Sequence, residues 1–275
     1  MTTMVDKILR GKELFLVAGP CSAESEGLCL EIAQELVRLC KHRRVPFIFK
    51  ASYSKANRLS GDSYRGPGIS AGLRFLSTVK ERLGVPILTD VHETSEVNEA
   101  AEVADILQIP AFLSRQTALA LAAAATGRWV NIKKGQYLAP EDMRPILGKV
   151  KGDRVSVTER GVSFGYHTLV VDFRSLIIMR QFGAPVIFDA THSLQLPGVS
   201  GKTSGGQPEY VIPFCRAAVA VGVDGLFVET SPRPQEARSD SGAMLPLDQM
   251  GDLLTQALAV RQSVSPFTLP GASAS

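Results

Sequence analysis

Short apolar runs recur eight times along the chain, each followed by a residue able to do chemistry and then by a stretch with helical spacing. The runs are Phe15-Leu16-Val17, Phe47-Ile48-Phe49, Ile87-Leu88, Ile106-Leu107, Trp129-Val130, Val155-Ser156-Val157, Val186-Ile187-Phe188 and Leu226-Phe227-Val228. They lead to Cys21, Lys50, Asp90, Gln108, Lys133, Arg160, His192 and Glu229. Between them, Leu28, Ile32, Leu36 and Leu39 share one helical face, as do Ile69, Leu73, Leu76, Val79 and Leu83, and later Leu247, Met250, Leu254 and Ala257. Strands alternating with helices predict a parallel sheet. Eight such units in succession fit an α/β chain closed into a (β/α)8 TIM barrel, whose strand C-terminal ends carry the active site. Two stretches are too long for simple connections, 53–68 and 193–208, and are expected to be lids over that end.

Length and composition narrow this picture. The 275 residues suit one barrel, with an N-terminal extension over about 1–12 and a flexible tail over about 265–275, and no linker divides the rhythm. A hydrophobic share of 45% is enough to build a core, and a formal charge of +3 is too small for a nucleic-acid footprint. The sequence shows no bilayer-length apolar stretch and no signal peptide, which predicts a cytoplasmic protein that engages neither nucleic acid nor membrane. Four cysteines are too sparse for a disulfide framework; Cys29, Cys40 and Cys215 fall in helical patterns and read as core.

Two groups of residues carry chemistry. Cys21, His192, Glu229 and Asp240 offer a thiolate, an imidazole and two carboxylates, a mixed set for a divalent transition metal: Zn, Fe(II), Mn or Co. They meet only if closure sets the eighth strand beside the first. Singly, each reads more simply as a buried core residue; their common placement at strand ends favours ligation. The second group is cationic: Lys50, Lys55, Arg58, Arg65, Arg115, Lys133 and Arg160. A charge ending an apolar strand is costly unless it meets an anion, so phosphate or carboxylate is expected there. The competing reading is a set of structural ion pairs with Asp90, Glu159 and Asp189. Lys133 and Lys134 are expected to split, one inward and one outward.

Longer motifs resemble a known family. Ala18-Gly19-Pro20-Cys21, Lys50-Ala51-Ser52, Lys55-Ala56-Asn57-Arg58, Ser63-Tyr64-Arg65-Gly66-Pro67-Gly68, Thr89-Asp90-Val91-His92-Glu93, Gln108-Ile109-Pro110-Ala111-Phe112-Leu113, Arg115-Gln116-Thr117, Asn131-Ile132-Lys133-Lys134 and Phe188-Asp189-Ala190-Thr191-His192 resemble the 3-deoxy-D-manno-octulosonate 8-phosphate synthases. The resemblance runs from about residue 13 to 260. It implies condensation of phosphoenolpyruvate with arabinose 5-phosphate and water, in synthesis of the lipopolysaccharide inner-core sugar, by an enzyme that is commonly a homotetramer. It assigns Lys50, Lys55, Lys133 and Arg160 to phosphoenolpyruvate, with Gln108 and Arg115 shaping that pocket. Arg58 falls to the sugar phosphate, with Ser52 and Ser60 nearby; Asn57 and Asp90 to the sugar or an ordered water; and His92 to the reacting centre. Cys after Gly-Pro marks the metal-dependent class, which makes Cys21, His192, Glu229 and Asp240 the four protein ligands.

The chain departs from that pattern at Leu59, Ala118, Ser231 and Gln207-Pro208, where Ser, Asp, His and a basic pair are usual. The alternatives are the related heptulosonate synthase using erythrose 4-phosphate, a sialic-acid-type synthase, or a catalytically silent barrel acting as a binding protein. Lys55-Ala56-Asn57-Arg58, where the heptulosonate enzyme has Lys-Pro-Arg-Thr, favours the octulosonate reading.

Overall fold

Every apolar run of the rhythm becomes a strand. In the computed structural model, which describes residues 2–56, 62–150, 152–163, 167–197, 205–239 and 241–264, these are β1 (Phe15–Gly19), β2 (Phe47–Lys50), β3 (Ile87–Asp90), β4 (Ile106–Ile109), β5 (Trp129–Lys133), β6 (Val155–Glu159), β7 (Val186–Asp189) and β8 (Gly225–Ser231). Each pairs in parallel with the next, and β8 returns to β1 with Phe15 opposite Gly225 and Gly19 opposite Glu229. The sheet is therefore a closed eight-stranded (β/α)8 barrel without edges.

Helices cover the outside as the period of 3.6 predicts. They are α1 (Met4–Leu9), α2 (Glu26–Arg43), α3 (Ile69–Leu83), α4 (Val97–Val103), α5 (Thr117–Ala125), α6 (Met143–Leu147), α7 (Arg174–Arg180), the single turn α8 (Ala190–Ser193), α9 (Val211–Ala220) and α10 (Met250–Val264). Ser25 caps α2 by accepting from the Leu28 amide, and Gly84 ends α3 in the left-handed conformation that glycine tolerates. The buried faces Ile32, Leu36 and Leu39 of α2 and Leu73, Leu76 and Val79 of α3 pack against outward strand residues such as Leu16, Ala18, Phe47 and Phe49. No helix among the described residues is long and apolar enough to cross a membrane.

The long connections are structured in part. An antiparallel pair joins Gln195–Leu196 to Gly205–Gly206, and a small hairpin joins Val162–Ser163 to Leu169–Val170. The expected lids over 53–68 and 193–208, and the tail over 265–275, fall partly or wholly outside the described residues. Cys29, Cys40 and Cys215 are buried as expected, and burial pushes Cys29 and Cys40 up to about 12, so they stay protonated and inert.

The N-terminal extension has a task that the apolar rhythm does not reveal. Val5, Ile8 and Leu9 of α1 join Phe15, Val17, Ile48, Leu88, Ile106, Trp129, Ile187 and Phe227 in one cluster, closing the barrel at its N-terminal end. Asp6 anchors the plug. Its carboxylate accepts from the Thr3 amide at 2.8 Å and from Trp129 Nε1 at 2.9 Å, with Arg154 at 3.3 Å. These bonds, the Thr3 amide foremost, outweigh burial and lower Asp6 from 3.8 to about 2. A depressed carboxyl contributes stability that is complete above its unfolded value and lost as pH falls through its folded value. Asp6→Ala, which strands a buried indole N–H, is expected to lower unfolding free energy by about 2 kcal/mol at neutral pH. In denaturant melts the gap from wild type should narrow as pH falls from about 4 to about 2; equal stability at pH 7 would contradict the anchor.

Candidate active site

Strand alternation decides what enters the barrel. Along most strands the inward positions start apolar and end polar: Ile48 then Lys50, Leu88 then Asp90, Ile106 then Gln108, Trp129 then Asn131 and Lys133, Ile187 then Asp189, Phe227 then Glu229. The polar ends all lie at the C-terminal mouth, where (β/α)8 enzymes carry their chemistry. Lys133 and Lys134 split as expected. Lys133 faces Asp189 across the mouth, whereas Lys134 lies 3.5 Å from Glu159 and donates to the Leu138 carbonyl at 3.1 Å.

The mouth is a belt of charges. Lys50 Nζ donates to Glu229 Oε1 at 2.8 Å, lies 3.5 Å from Asp90 Oδ2, and is 3.5 Å from the Cys21 carbonyl oxygen. Lys55 reaches Ser52 Oγ at 3.0 Å and Glu229 Oε1 at 4.0 Å. Lys133 sits 2.5 Å from Asp189, whose Oδ2 is also 2.7 Å from His192 Nδ1. Phe227 underlies both lysines, its ring centroid 4.5 Å from Lys133 Nζ and 5.3 Å from Lys50 Nζ. The ion pairs of the competing structural reading are therefore formed. They still leave four buried cations, Lys50, Lys55, Lys133 and Arg160, against three carboxylates, Asp90, Asp189 and Glu229. That excess, shielded from water, suits an anion.

Protonation follows from the pairing. Burial alone would depress the Lys50 ammonium, but Glu229 and Asp90 outweigh it and hold Lys50 above the usual lysine range. Burial opposes ionisation of Asp90, Asp189 and Glu229 too, and the surrounding cations overcome it, so all three stay carboxylates well below their usual values. For Lys133 burial wins over Asp189, and its pKa is lowered. Burial also lowers His92, whose Nδ1 lies 3.7 Å from Glu96 Oε2, leaving a neutral imidazole edge-on to Tyr53.

Other expected site residues are placed as follows. Ser52 is fully buried and its hydroxyl is committed to Asp90. Gln108 donates to Asp90 Oδ1 at 2.7 Å. Arg160 is buried and donates through Nη2 to Gln195 at 2.9 Å. Arg115 is exposed on the turn before α5, with only its carbonyl engaged, by Lys149. Asn57, Arg58, Ser60 and Asp240, together with Leu59, lie outside the described residues. Ser231 ends β8, buried, and accepts from the Arg233 amide; Ala118 is exposed on α5. Gln207 donates its amide to the Leu194 carbonyl, which ties it beside the mouth. Sequence reading assigns no role to Asn131, Ser156, Thr158 and Gln195, although Asn131 falls in a family motif and Ser156 in an apolar run. Their signal was a polar residue at an inward position of an otherwise apolar strand.

Part of the expected metal set is gathered. Gly19 allows it: a Cβ there would stand 2.1 Å from the Lys50 carbonyl oxygen, so only glycine lets β1 turn into Pro20-Cys21 at this spacing. Cys21 is fully buried, and its backbone carbonyl oxygen lies 3.5 Å from the Lys50 Nζ that donates to Glu229. Glu229 Oε2 is buried without a hydrogen-bond partner and faces His192 Nε2 at 3.6 Å. An orphaned carboxylate oxygen opposite an imidazole nitrogen at roughly the edge length of a tetrahedral site suits two ligands of one divalent ion. Among the described residues no group of three or more His, Cys, Asp or Glu is placed to hold a metal ion, so Cys21, His192 and Glu229 are not brought together as a ligand set, and Asp240 is outside the described residues.

A closed (β/α)8 barrel whose mouth gathers buried cations, carboxylates and an imidazole defines a barrel enzyme for anionic substrates. Residues 2–264 match the family model described as the DAHP synthetase I family. Relatives called 2-dehydro-3-deoxyphosphooctonate aldolase include one from Acidithiobacillus ferrooxidans, 56% identical over 87% of this chain and 86% of its own length. Another, from Koribacter versatilis, is 52% identical over 95% and 96%, and one from Burkholderia cenocepacia is 53% identical over 92% and 93%. The chain belongs to the DAHP synthetase I family and, within it, to the 2-dehydro-3-deoxyphosphooctonate aldolases.

Removing one partner from a buried pair strands the other. Asp189→Ala is expected to cost about 3–5 kcal/mol of stability because Lys133 and His192 lose their shared carboxylate. Urea unfolding measures it, and a cost below about 1 kcal/mol would show that the mouth is wetter than its burial implies.

Proposed function

We propose that this enzyme condenses phosphoenolpyruvate with arabinose 5-phosphate and water to give 3-deoxy-D-manno-octulosonate 8-phosphate and inorganic phosphate. The observation that carries this is the mouth itself: buried cations in excess of carboxylates, on inward strand ends, in a chain whose relatives bear the octulosonate name. The catalytically silent barrel is disfavoured because Lys50, Lys55, Lys133 and Arg160 of the expected cation set are buried at the mouth, although Arg65 and Arg115 are exposed.

The chemistry joins C3 of phosphoenolpyruvate to the aldehyde carbon of the sugar. The enol π pair forms the carbon–carbon bond, the aldehyde oxygen takes a proton, water adds to C2, and the C2–O bond to phosphate breaks to leave the ketone. Lys50, Lys55, Lys133 and Arg160 hold the phosphate and carboxylate of phosphoenolpyruvate and are already ordered by Glu229, Asp189 and Gln195, so little reorganisation is needed as charge moves. Gln108 borders that pocket, and Arg115, exposed in the single chain, is assigned to it by the family resemblance alone. Asp90, fixed as a carboxylate, accepts from sugar hydroxyls or from the attacking water, alongside Asn57; Arg58, Ser52 and Ser60 serve the sugar end. His92, neutral and with Nδ1 3.7 Å from Glu96, is available to relay a proton at the reacting centre.

Cys21, His192, Glu229 and Asp240 hold a divalent transition metal in this reading: Zn, Fe(II), Mn or Co. A metal held by these residues would supply Lewis-acid polarisation of a substrate or water oxygen. The support within this chain is the Glu229 Oε2 that faces His192 Nε2 at 3.6 Å, with a hydrogen-bond partner absent among the described residues. The exposed apolar side chains Phe112, Leu121 and Tyr137 support assembly into a homotetramer, which light scattering would report as four times the 29.5 kDa chain. A cytoplasmic role in lipopolysaccharide inner-core sugar synthesis follows from the product. Restoration of that core in a host lacking the synthase tests it.

Phosphate release from phosphoenolpyruvate is expected to depend on added arabinose 5-phosphate and to fall at least about 100-fold in kcat/KM with erythrose 4-phosphate. Equal rates with both sugars would overturn the substrate assignment. Chelation is expected to abolish turnover and added divalent metal to restore it, while Cys21→Asn lowers bound metal per subunit in elemental analysis. Full turnover by metal-free protein would remove the metal from the account.

A further inference from the structure

From Asp90 and Gln108 a chain of hydrogen bonds runs beneath the charged belt to Asn131, Ser156 and Thr158, uncharged polar residues that the proposed mechanism does not use. Asp90, Gln108, Asn131 and Ser156 stand directly opposite one another on β3, β4, β5 and β6, at one level of the barrel. Gln108, Asn131, Ser156 and Thr158 are completely buried. Gln108 Nε2 donates to Asp90 Oδ1 at 2.7 Å, Asn131 Nδ2 donates to Gln108 Oε1 at 2.7 Å, and the hydroxyls of Ser156 and Thr158 both donate to Asn131 Oδ1 at 3.0 Å.

Such a chain has a direction. A carboxylate only accepts, and an amide accepts at one end and donates at the other. Turning both amides round would put Gln108 Oε1 against Asp90 Oδ1 at 2.7 Å, two acceptors in contact, which is tolerable only if Asp90 carries a proton. The reversed arrangement would also deprive both hydroxyl protons of their acceptor, because Asn131 Oδ1 is the only side-chain partner either hydroxyl has among the described residues. Each buried donor left unmet costs about 1–3 kcal/mol. The hydroxyls at the β6 end therefore select one polarity, and the carboxylate at the β3 end reads it.

We infer that Asn131, held by Ser156 and Thr158 and acting through Gln108, is a positioning residue that keeps Asp90 an acceptor toward the sugar substrate. The inference rests on the reading of Asp90 as the carboxylate that meets the sugar or its water. It deepens that reading by placing the control of Asp90 on residues two and three strands away, Asn131 on β5 and Ser156 and Thr158 on β6, that are outside the proposed substrate contacts. The charged groups around Asp90 favour the same state, Lys50 from β2, Lys55 from the segment after β2 and Lys133 from β5, while the titratable His92 beyond β3 is held neutral by burial. Ser52 donates to the other carboxylate oxygen. The amide chain thus supplies the one uncharged neighbour of Asp90 Oδ1 whose polarity is able to reverse.

The test is the pH dependence of kcat/KM for arabinose 5-phosphate in Ser156→Ala/Thr158→Val, which removes both hydroxyls and leaves every charged group in place. Its acid limb is expected to move up by about one pH unit, with activity near wild type at alkaline pH, KM for phosphoenolpyruvate within about twofold, and bound metal unchanged across the range. Thr158→Ser, which retains the hydroxyl, should keep the wild-type limb. If the double variant fails to fold, the near-isosteric Thr158→Val leaves Ser156 as the single donor and should move the limb about half as far. An acid limb that coincides with wild type, whatever the loss of thermal stability, overturns the inference. Asp90→Asn separates the two layers: a large fall in kcat/KM for the sugar sustains the Asp90 reading on its own, whereas full activity overturns that reading and the inference with it.

Discussion

The ion pair between Lys50 and Glu229 spans the seam where the barrel closes, one partner on β2 and the other on β8, with β1 between them. Both side chains are fully buried. Neither charge is tolerable alone at that depth, and the two meet only because β8 pairs with β1 in the register that sets Gly19 opposite Glu229. Closure and the active site are thus one event. Gly19 supports it by letting β1 approach the Lys50 carbonyl, and Phe227 supports it as the aromatic floor under Lys50 and Lys133. The second carboxylate oxygen of Glu229 stays available to face His192, so one residue links the cation belt to the proposed metal ligands.

Depth along the barrel sets the rest. The period of two in the strands sends alternate residues inward, and the inward set changes from apolar to polar toward the strand ends. The barrel is consequently dry at its base, where α1 and Trp129 close it, and charged at its mouth. A dry base lowers the effective dielectric under Lys50, Lys133 and Arg160, strengthening their hold on phosphate and carboxylate. The same dryness makes the polarity of buried amides matter, since no water is at hand to mend a mismatch.

The eight apolar runs were enough to read the barrel, because parallel strands buried on both faces are near-continuous runs of Val, Ile, Leu and Phe. The residues at their ends were legible for the same reason: Lys50, Asp90, Lys133 and Glu229 interrupt those runs with a charge, and a charge at that point needs an explanation. The divergence of Lys133 and Lys134 followed from alternation alone. The plug at the base was not legible, since Val5, Ile8 and Leu9 are too few to show a helical period and Asp6 finds Trp129 across more than a hundred residues. Asn131, Ser156 and Thr158 were assigned no role because uncharged polar residues in a strand look ordinary until register sets them side by side. Arg115 carries a strong motif, yet in the single chain it stands in solvent, which no local pattern announces.

The central claim is that register divides adjacent residues between substrate and scaffold, and Lys133 beside Lys134 is its sharpest case. Calorimetric titration of phosphoenolpyruvate into the metal-loaded variants Lys133→Met and Lys134→Met measures this directly. The account predicts that Lys133→Met weakens binding by about 100-fold or more, as for a buried cation that meets an anion, and that Lys134→Met stays within about threefold of wild type. Equal weakening by the two substitutions, or undiminished binding by Lys133→Met, would contradict it.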